Sequence, residues 1–247
     1  MYAVITAGGS VAGDFARAIG TDIKALAPLG SGRLIDPAIE AARAAGVSAI
    51  AVIGPGAVRD YCGARVERVL AAAADGAENI KRALHAFPAA ERLVFLTSDM
   101  PFVDAQGLRG FVERSSDFAL TMALSPAGAY AAQFPGAPPH LVRFGAHAFA
   151  NGSAFVIDRS ALAALERVAG RFFAARKSLP RLAALLGPTL CLRFALRRLR
   201  IADIERRAAD VLGVDTRAIL DAAPGLCFDV DDLADWNYAQ SRLRHYG

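Results

Sequence analysis

Four short stretches of this chain carry residue types that could handle a charged oxygen ligand. Gly8-Gly9 follows the apolar run Tyr2-Ala-Val-Ile-Thr6. Adjacent glycines let the backbone approach a ligand closely, with N–H groups free to point at negative oxygen. Lys24, fifteen residues beyond Gly9, could reach back to the same anion. Asp99 follows the apolar run Leu93–Thr97 and precedes Met100-Pro101. Its carboxylate is either the N-cap of the next helix or a ligand for a hard cation, and the cap is the default. Asp229 and Asp231 flank Val230, so in an extended segment they share one face and Asp232 takes the other. Acids there often only cap a turn, but a second carboxylate beside Asp99 would make a Mg²⁺ site. Magnesium commonly takes one or two carboxylates and completes its shell with water and substrate phosphates.

These parts describe a phosphate-handling site with a metal, and little else in the chain competes with them. His85, His140, His147 and His245 show no ligand spacing, and no Ser/His/Asp or Cys/His arrangement is evident. Cys62, Cys191 and Cys227 are isolated, which argues against a zinc site or a disulfide scaffold and for a reducing compartment. Nucleotidyl transfer needs no protein nucleophile, because an ionised acceptor phosphate can attack the α-phosphorus itself. The protein then has to position the reactants and neutralise charge.

The elements that must hold these residues alternate. Strands are predicted over Tyr2–Thr6, Val47–Ile53, Arg65–Leu70, Leu93–Thr97, Phe118–Leu124 and Ala154–Ile157. Helices are predicted over Pro37–Ala45, Val58–Ala64, from Asp75 to His85 or Phe87, and over Ala105–Glu113. That alternation implies βαβ units and a mostly parallel sheet covered on both faces, an α/β fold. Ligands in such sheets sit beyond the carboxyl ends of the strands. The glycine loop and Asp99 each follow a strand directly, so both should project onto that edge. A Pro/Gly-rich loop is expected around Phe134–Pro139. Long helical stretches from Ser160 to about Gly187 and over Leu190–Leu212 precede a final helix with Trp236 and Tyr238. Residues 1–247 read as one domain, with 160–223 a helical elaboration.

With 247 residues, 54% of them hydrophobic, a sizeable core is easily built. The net charge of +4 is mild, but between Arg171 and Asp210 there are ten Lys/Arg against three Asp/Glu. A solvated helix face is the first reading of that cluster. A lid or wall against an acceptor phosphate is the second, and peripheral membrane attachment the third. Nucleic-acid binding is not expected, since no reading motif is present. No apolar stretch of about 18 residues runs unbroken, and no signal peptide is recognisable, so a cytoplasmic location is expected.

Taken in order, Ala7-Gly-Gly-Ser10 with Lys24-Ala-Leu-Ala-Pro28, Leu96-Thr-Ser-Asp-Met-Pro101, Asn151-Gly-Ser153 and Phe228-Asp-Val-Asp-Asp-Leu233 resemble the MobA-like nucleotidyltransferases. The resemblance implies a three-layer Rossmann-like sheet of the nucleotide-diphospho-sugar transferase (GT-A-like) kind. It also implies a Mg²⁺-dependent reaction that couples an NTP to a phosphorylated small-molecule acceptor and releases pyrophosphate. By that resemblance Ala7, Gly8, Gly9 and Ser10 bind the nucleotide through their backbone, and Lys24 contacts the phosphates. Asp99 and Asp231 bind the metal, Gly76 and Asn79 face the base, and Asn151 and Gly152 line the acceptor pocket. Lys24 and Asp99 are the expected catalytic pair.

One departure stands out. Many members carry Gly-x-Gly-x-Arg in the first loop, whereas Gly9 here is followed by Ser-Val-Ala-Gly-Asp-Phe-Ala-Arg17. Arg17, Arg33 or an arginine of the helical region would have to replace the missing one. Two rivals follow: a nucleotide-sugar glycosyltransferase of the related fold, and a degenerate nucleotide-binding module without turnover. Glycosyltransferases place Asp-x-Asp where this chain has Thr97-Ser98-Asp99, which ranks them lower.

Overall fold

A computed structural model describes residues 1–74, 76–138, 140–175 and 187–246. The expectations for Asp75, Pro139 and the basic pair Arg176-Lys177 therefore lie outside the described residues.

The strands are β1 (Tyr2–Thr6), β2 (Pro28–Leu29), β3 (Gly32–Arg33), β4 (Ala49–Gly54), β5 (Arg68–Ala71), β6 (Arg92–Thr97), β7 (Leu120–Pro126), β8 (Leu141–Phe144), β9 (His147–Asp158) and β10 (Thr216–Ile219). The helices are α1 (Gly13–Ile19), α2 (Asp36–Ala44), α3 (Gly56–Cys62), α4 (Gly76–Leu84), α5 (Ala105–Arg114), α6 (Ala127–Gln133), α7 (Arg159–Ala175), α8 (Pro188–Ala195), α9 (Ile201–Leu212) and α10 (Leu233–Tyr246).

The main sheet runs β10-β7-β9-β6-β1-β4-β5, with β8 joined to β9 and β2-β3 forming a separate small ribbon. Strand β1 pairs in parallel with β4 on one side and β6 on the other, and β9 is antiparallel to β6, β7 and β8. The sheet is thus mixed but mostly parallel. Alternate residues of β1 serve the two faces: Ala3 and Ile5 pack with Phe15, Ile39 and Phe111, while Val4 packs with Ala83 and Phe87 of the other layer. Burial on both faces is what an uninterrupted apolar strand requires.

The order of strands reverses at β1. The chain goes outward through β4 and β5, then returns to lay β6 on the opposite flank of β1. This switch point opens a crevice beyond the carboxyl ends of β1 and β6. The register sets Thr6 level with Thr97, so the glycine loop and Ser98-Asp99 leave the sheet side by side. Because β9 runs the other way, its first half lies at that same edge. Ala154 pairs with Leu96, which brings Ser153 and Asn151 alongside the exit of β6.

Besides the small β2-β3 ribbon, four elements went unforeseen. Helix α1 opens at Gly13 with φ +61°, after Ala12, which offers no capping side chain. Its start therefore carries no N-cap signal in the sequence. Helix α6 and strand β8 flank the expected Pro/Gly loop, and the strand expected at Ala154–Ile157 is the end of the twelve-residue β9. Within the stretch expected to be helical, Thr216–Ile219 is instead an edge strand parallel to β7. The helical stretch Leu190–Leu212 is also two helices. Helix α8 ends where the Arg198 N–H reaches the Arg193 carbonyl at 2.7 Å and Arg197 takes φ +54°.

Candidate active site

Three backbone bonds assemble the crevice. Ser98 donates its N–H to Thr6 (3.1 Å), Lys24 to the Gly9 carbonyl (3.0 Å) and Val230 to the Asp99 carbonyl (2.9 Å). Loops near residues 8, 24, 99 and 230 are thereby stitched into one edge. Helix α10 reinforces the join, because Trp236 Nε1 and Gln240 Nε2 both donate to the Pro28 carbonyl at 2.9 and 2.8 Å. The sequence Lys24-Ala-Leu-Ala-Pro28 is held against the C-terminal helix in this way.

In the glycine loop, Ala7 is buried and donates to the Ile53 carbonyl at 2.7 Å. Gly8, Gly9 and Ser10 are exposed, and Ser10 forms a short antiparallel bridge with Ile23. Among the described residues, neither Gly8 nor Gly9 has its N–H bonded within the chain. A Cβ on Gly9 would lie 3.3 Å from Lys24 Cε, so glycine leaves the lysine its path into the crevice. A Cβ on Gly8 would meet Ala72 Cβ at 3.7 Å and Asn79 Nδ2 at 3.9 Å. Asn79 thus stands beside the loop, but its amide is committed to Ala73: Oδ1 accepts the Ala73 N–H (2.6 Å) and Nδ2 donates to its carbonyl (2.9 Å). Gly76 is the first residue of α4.

Asp99 is not a helix cap. The cap of α5 is Asp104, whose Oδ1 accepts the Gly107 N–H at 2.8 Å. Asp99 is buried; its Oδ2 pairs with Lys24 Nζ, and its Oδ1 has no hydrogen-bond partner. The acids after Phe228 divide by role. Asp232 caps α10, accepting from Ala234 (2.7 Å) and Asp235 (3.0 Å). Asp235, fully buried, returns the bond to the N–H groups of Asp231 and Asp232 at 2.9 and 3.1 Å, a reciprocal capping box. It also faces His140 Nε2 at 3.1 Å.

That frame leaves Asp229 and Asp231 to the crevice, with Val230 buried behind them. Asp231 lies 3.4 Å from Lys24 Nζ with its side chain 66% exposed. Asp229 sits deeper. Its Oδ2 accepts the Ser153 hydroxyl, and its Oδ1 is buried without a partner. Burial holds the Asp229 carboxyl well above the ordinary carboxylate range, and the charges of Asp99 and Asp231 push the same way. The Ser153 hydroxyl and Lys24 pull against them. Burial pulls Lys24 down, but Asp99 and then Asp231 outweigh it and leave the ammonium above its ordinary value. One lysine therefore stands among three carboxylates, an arrangement short of positive charge.

The site thus fits a cation. An unpartnered buried carboxylate oxygen is costly, and here two such oxygens belong to residues that interact electrostatically. Among the described residues no three His, Cys, Asp or Glu side chains form a ready-made metal cage. Two carboxylates completed by water and phosphate oxygens would suit magnesium better than such a cage. Asp229 and Ser153 are the site residues that the sequence reading left without a role. The alternation that pairs Asp229 with Asp231 on one face was the available signal.

Asn151 is exposed at the same edge, opposite Leu124. Gly152 has a packing reason of its own: a Cβ there would stand 2.5 Å from the Ala123 carbonyl oxygen, at the irregularity between Met122 and Leu124. Two of the candidate substitutes for the first-loop arginine, Arg17 and Arg33, are engaged outside the crevice. Arg17 pairs with Asp14 on the surface, and Arg33 donates to the Leu26 carbonyl at 3.2 Å. A concavity of about 580 Å³ lies at the opposite edge of the sheet, lined by Arg92, Asp117, Asp158 and Asp215. It is remote from the glycine loop, and Asp158 is already bonded to Ser160.

The model of the MobA-like NTP transferase domain matches residues 3–188. The chain belongs to this family. Among curated proteins, no sequence matches it. Its fold is similar to that of a hypothetical transferase from Thermus thermophilus (29% identity, TM-score 0.82, covering 95% of this chain and 98% of the other). It is also similar to CMP:2-keto-3-deoxy-manno-octonic acid synthetase complexed with CTP (14% identity, TM-score 0.60, covering 100% and 99%). A third similar structure is Rv0371C from Mycobacterium tuberculosis in complex with manganese (16% identity, TM-score 0.54, covering 97% of each chain). At 14 and 16% identity, the last two bear on the fold alone. A MobA-like NTP transferase domain accounts for the GT-A-like strand order, and the family is one of nucleotidyltransferases.

Proposed function

We propose that this MobA-like protein transfers a nucleoside monophosphate from an NTP to a phosphorylated small molecule, releasing pyrophosphate, with Mg²⁺ as cofactor. The observation that carries the reading is the pair of unpartnered buried oxygens, Asp99 Oδ1 and Asp229 Oδ1, set beside Lys24 and the glycine loop. The CTP complex and the manganese complex of the two similar structures support a nucleotide and a divalent cation in a fold of this kind.

In the reaction, an oxygen of the acceptor phosphate forms a bond to the α-phosphorus. The bond from that phosphorus to the bridging oxygen breaks, and pyrophosphate leaves with the electron pair. The free N–H groups of Gly8 and Gly9 would donate to phosphate oxygens. Lys24 would neutralise charge developing on the α-phosphate and on the leaving group. Asp99 and Asp229 would hold the metal, with Asp231 at its exposed side. The metal, when bound, supplies Lewis-acid polarisation of the phosphoryl oxygens. Asp229, raised by burial and by neighbouring negative charge, would release its proton to solvent as the cation binds. Asn151 stands at the edge where an acceptor would enter.

The test is pyrophosphate release with each of the four NTPs, Mg²⁺ and a panel of phosphorylated alcohols and sugars. Release that needs one NTP, one acceptor and Mg²⁺ together supports the reading. Nucleotide binding with no release against the whole panel contradicts turnover, and consumption of a UDP-sugar instead of an NTP moves the protein to glycosyl transfer.

A further inference from the structure

Between two buried anchors, Leu190 and Leu199, the chain pushes seven consecutive residues into solvent: Leu192-Arg-Phe-Ala-Leu-Arg-Arg198. Leu192, Phe194 and Leu196 are 60, 69 and 55% exposed, the largest exposures among the bulky apolar residues described. From Gly187 to Ala202 there is no Asp or Glu, while Arg193, Arg197, Arg198 and Arg200 all fall inside that span. Arg193 is tied to Asp203, but among the described residues Arg197 and Arg198 have no acidic partner. Arg197 holds a left-handed backbone conformation, φ +54°, where glycine is the usual occupant.

The distribution of the apolar side chains selects the kind of surface that could cover them. Leu192 and Leu196 are four residues apart and share a helix face, whereas Phe194 is two residues from each and lies on the far side. A flat protein partner would bury one of those faces and leave the other wet. A bilayer interface surrounds an inserted turn on all sides, and its anionic headgroups answer the arginines. Helix α8 is short, so the element is a knob rather than a helix lying along the surface. The knob is connected to the site's edge, because the turn of the β8–β9 hairpin comes against it: a Cβ on Gly145 would be 4.0 Å from the Leu199 carbonyl oxygen. Gly145 is six residues from Asn151, about 20 Å along a strand. Strand β8 of that hairpin adds the exposed Leu141 and Val142.

The geometry points to residues 192–198 as a docking knob that seats the protein on an anionic lipid bilayer. This goes beyond nucleotidyl transfer and stands without it, since the contact requires neither nucleotide nor metal. The test is co-sedimentation of the full-length chain with vesicles of phosphatidylglycerol and phosphatidylcholine in equal parts, against vesicles of phosphatidylcholine alone. Binding is expected to the anionic vesicles and to weaken with salt. Phe194→Glu should lower the partition at least about tenfold, from the lost burial of one large apolar side chain. Replacing Arg197 and Arg198 by alanine should lower it roughly fivefold per residue.

Because all three positions are exposed, thermal unfolding of each variant should match that of the parent, which separates lost docking from lost folding. Equal binding to both vesicle types, no binding to either, or partition unchanged in Phe194→Glu overturns the proposal. So does light scattering that shows a dimer of this chain dissociating in Phe194→Glu, which would assign the knob to a second copy. Pyrophosphate release from soluble reactants is read separately, so either inference can fail without the other.

Discussion

The carboxyl edge of the sheet and the turn at 192–198 are opposites. At the edge, charged groups are buried and crowded, and two carboxylate oxygens are left without partners although backbone bonds stitch the surrounding loops together. At the turn, apolar groups are exposed and crowded, and among the described residues Arg197 and Arg198 lack acidic partners. Each region is incomplete in the opposite currency. The edge lacks positive charge and the turn lacks apolar cover. The contrast teaches that an unsatisfied requirement, rather than a cavity, marks what a surface is for. The 580 Å³ concavity at the amino edge has its acid Asp158 already satisfied by Ser160 and Arg92.

The sharpest way to break this contrast is at Asp99. Asp99→Asn keeps the shape and removes the charge, and pyrophosphate release should fall about 10²–10³-fold, the scale of losing one preorganised electrostatic group. Circular dichroism should remain that of the parent. Lys24→Met should cost a similar factor in turnover and also destabilise the metal-free protein. It leaves the buried Asp99 without its cation, for which about 3 kcal/mol is the expected scale. Chemical denaturation with and without Mg²⁺ measures this, and the metal should restore part of the loss.

Gly152→Ala sharpens the packing side of the comparison. Its Cβ would press on the Ala123 carbonyl at 2.5 Å, so β9 must shift from β7. A loss of about 1–3 kcal/mol is expected from such overpacking, with turnover reduced because Ser153 and Asn151 move with it. A loss of turnover with full stability would instead mean that Gly152 contacts substrate.

A pH series probes the charge deficit. Asp229 has a folded-state value above its unfolded one, so the stability it lends is present below the ordinary carboxylate range and is lost as pH rises through the raised value. Mg²⁺ reverses the preference by favouring the ionised form. The gain in melting temperature on adding Mg²⁺ should therefore be larger at pH 8 than at pH 5, and an equal gain at both would contradict the assignment of Asp229. The smallest effect belongs to the turn. Leu192→Ser should change stability by no more than about 0.5 kcal/mol, because there is little to lose at a side chain 60% exposed.

What could be read from the sequence follows the same division. The strands β1, β4 and β6 were legible because burial on both faces demands unbroken apolar runs. The convergence of Gly8 and Asp99 followed from strand ends alone, whereas Lys24 was placed there only by its ability to reach back. Strand β10 was not legible, since Thr216-Arg-Ala-Ile219 becomes a strand only by pairing with β7, a tertiary fact. Asp99 looked like a cap because nothing local distinguishes it from Asp104, which is the cap. The resemblance named Asp231 alone, and alternation places Asp229 and Asp231 on one face but says nothing about depth. Val230 bonding to the Asp99 carbonyl sets that depth. The separation of Asp232 and Asp235 from the site was written in the sequence as Asp-x-x-Asp at a helix start, a capping signal hidden among other acids.

The most direct measurement is thermal unfolding with each NTP, with and without Mg²⁺, in the parent and in Asp99→Asn and Asp229→Asn. A ligand that binds only the folded state raises its stability by RT ln(1 + [L]/Kd), about 2.7 kcal/mol at a hundredfold excess over Kd. The account predicts stabilisation by one NTP that depends on Mg²⁺ in the parent and loses that dependence in both variants. Metal-dependent stabilisation that survives intact in both variants would contradict a site built on Asp99 and Asp229.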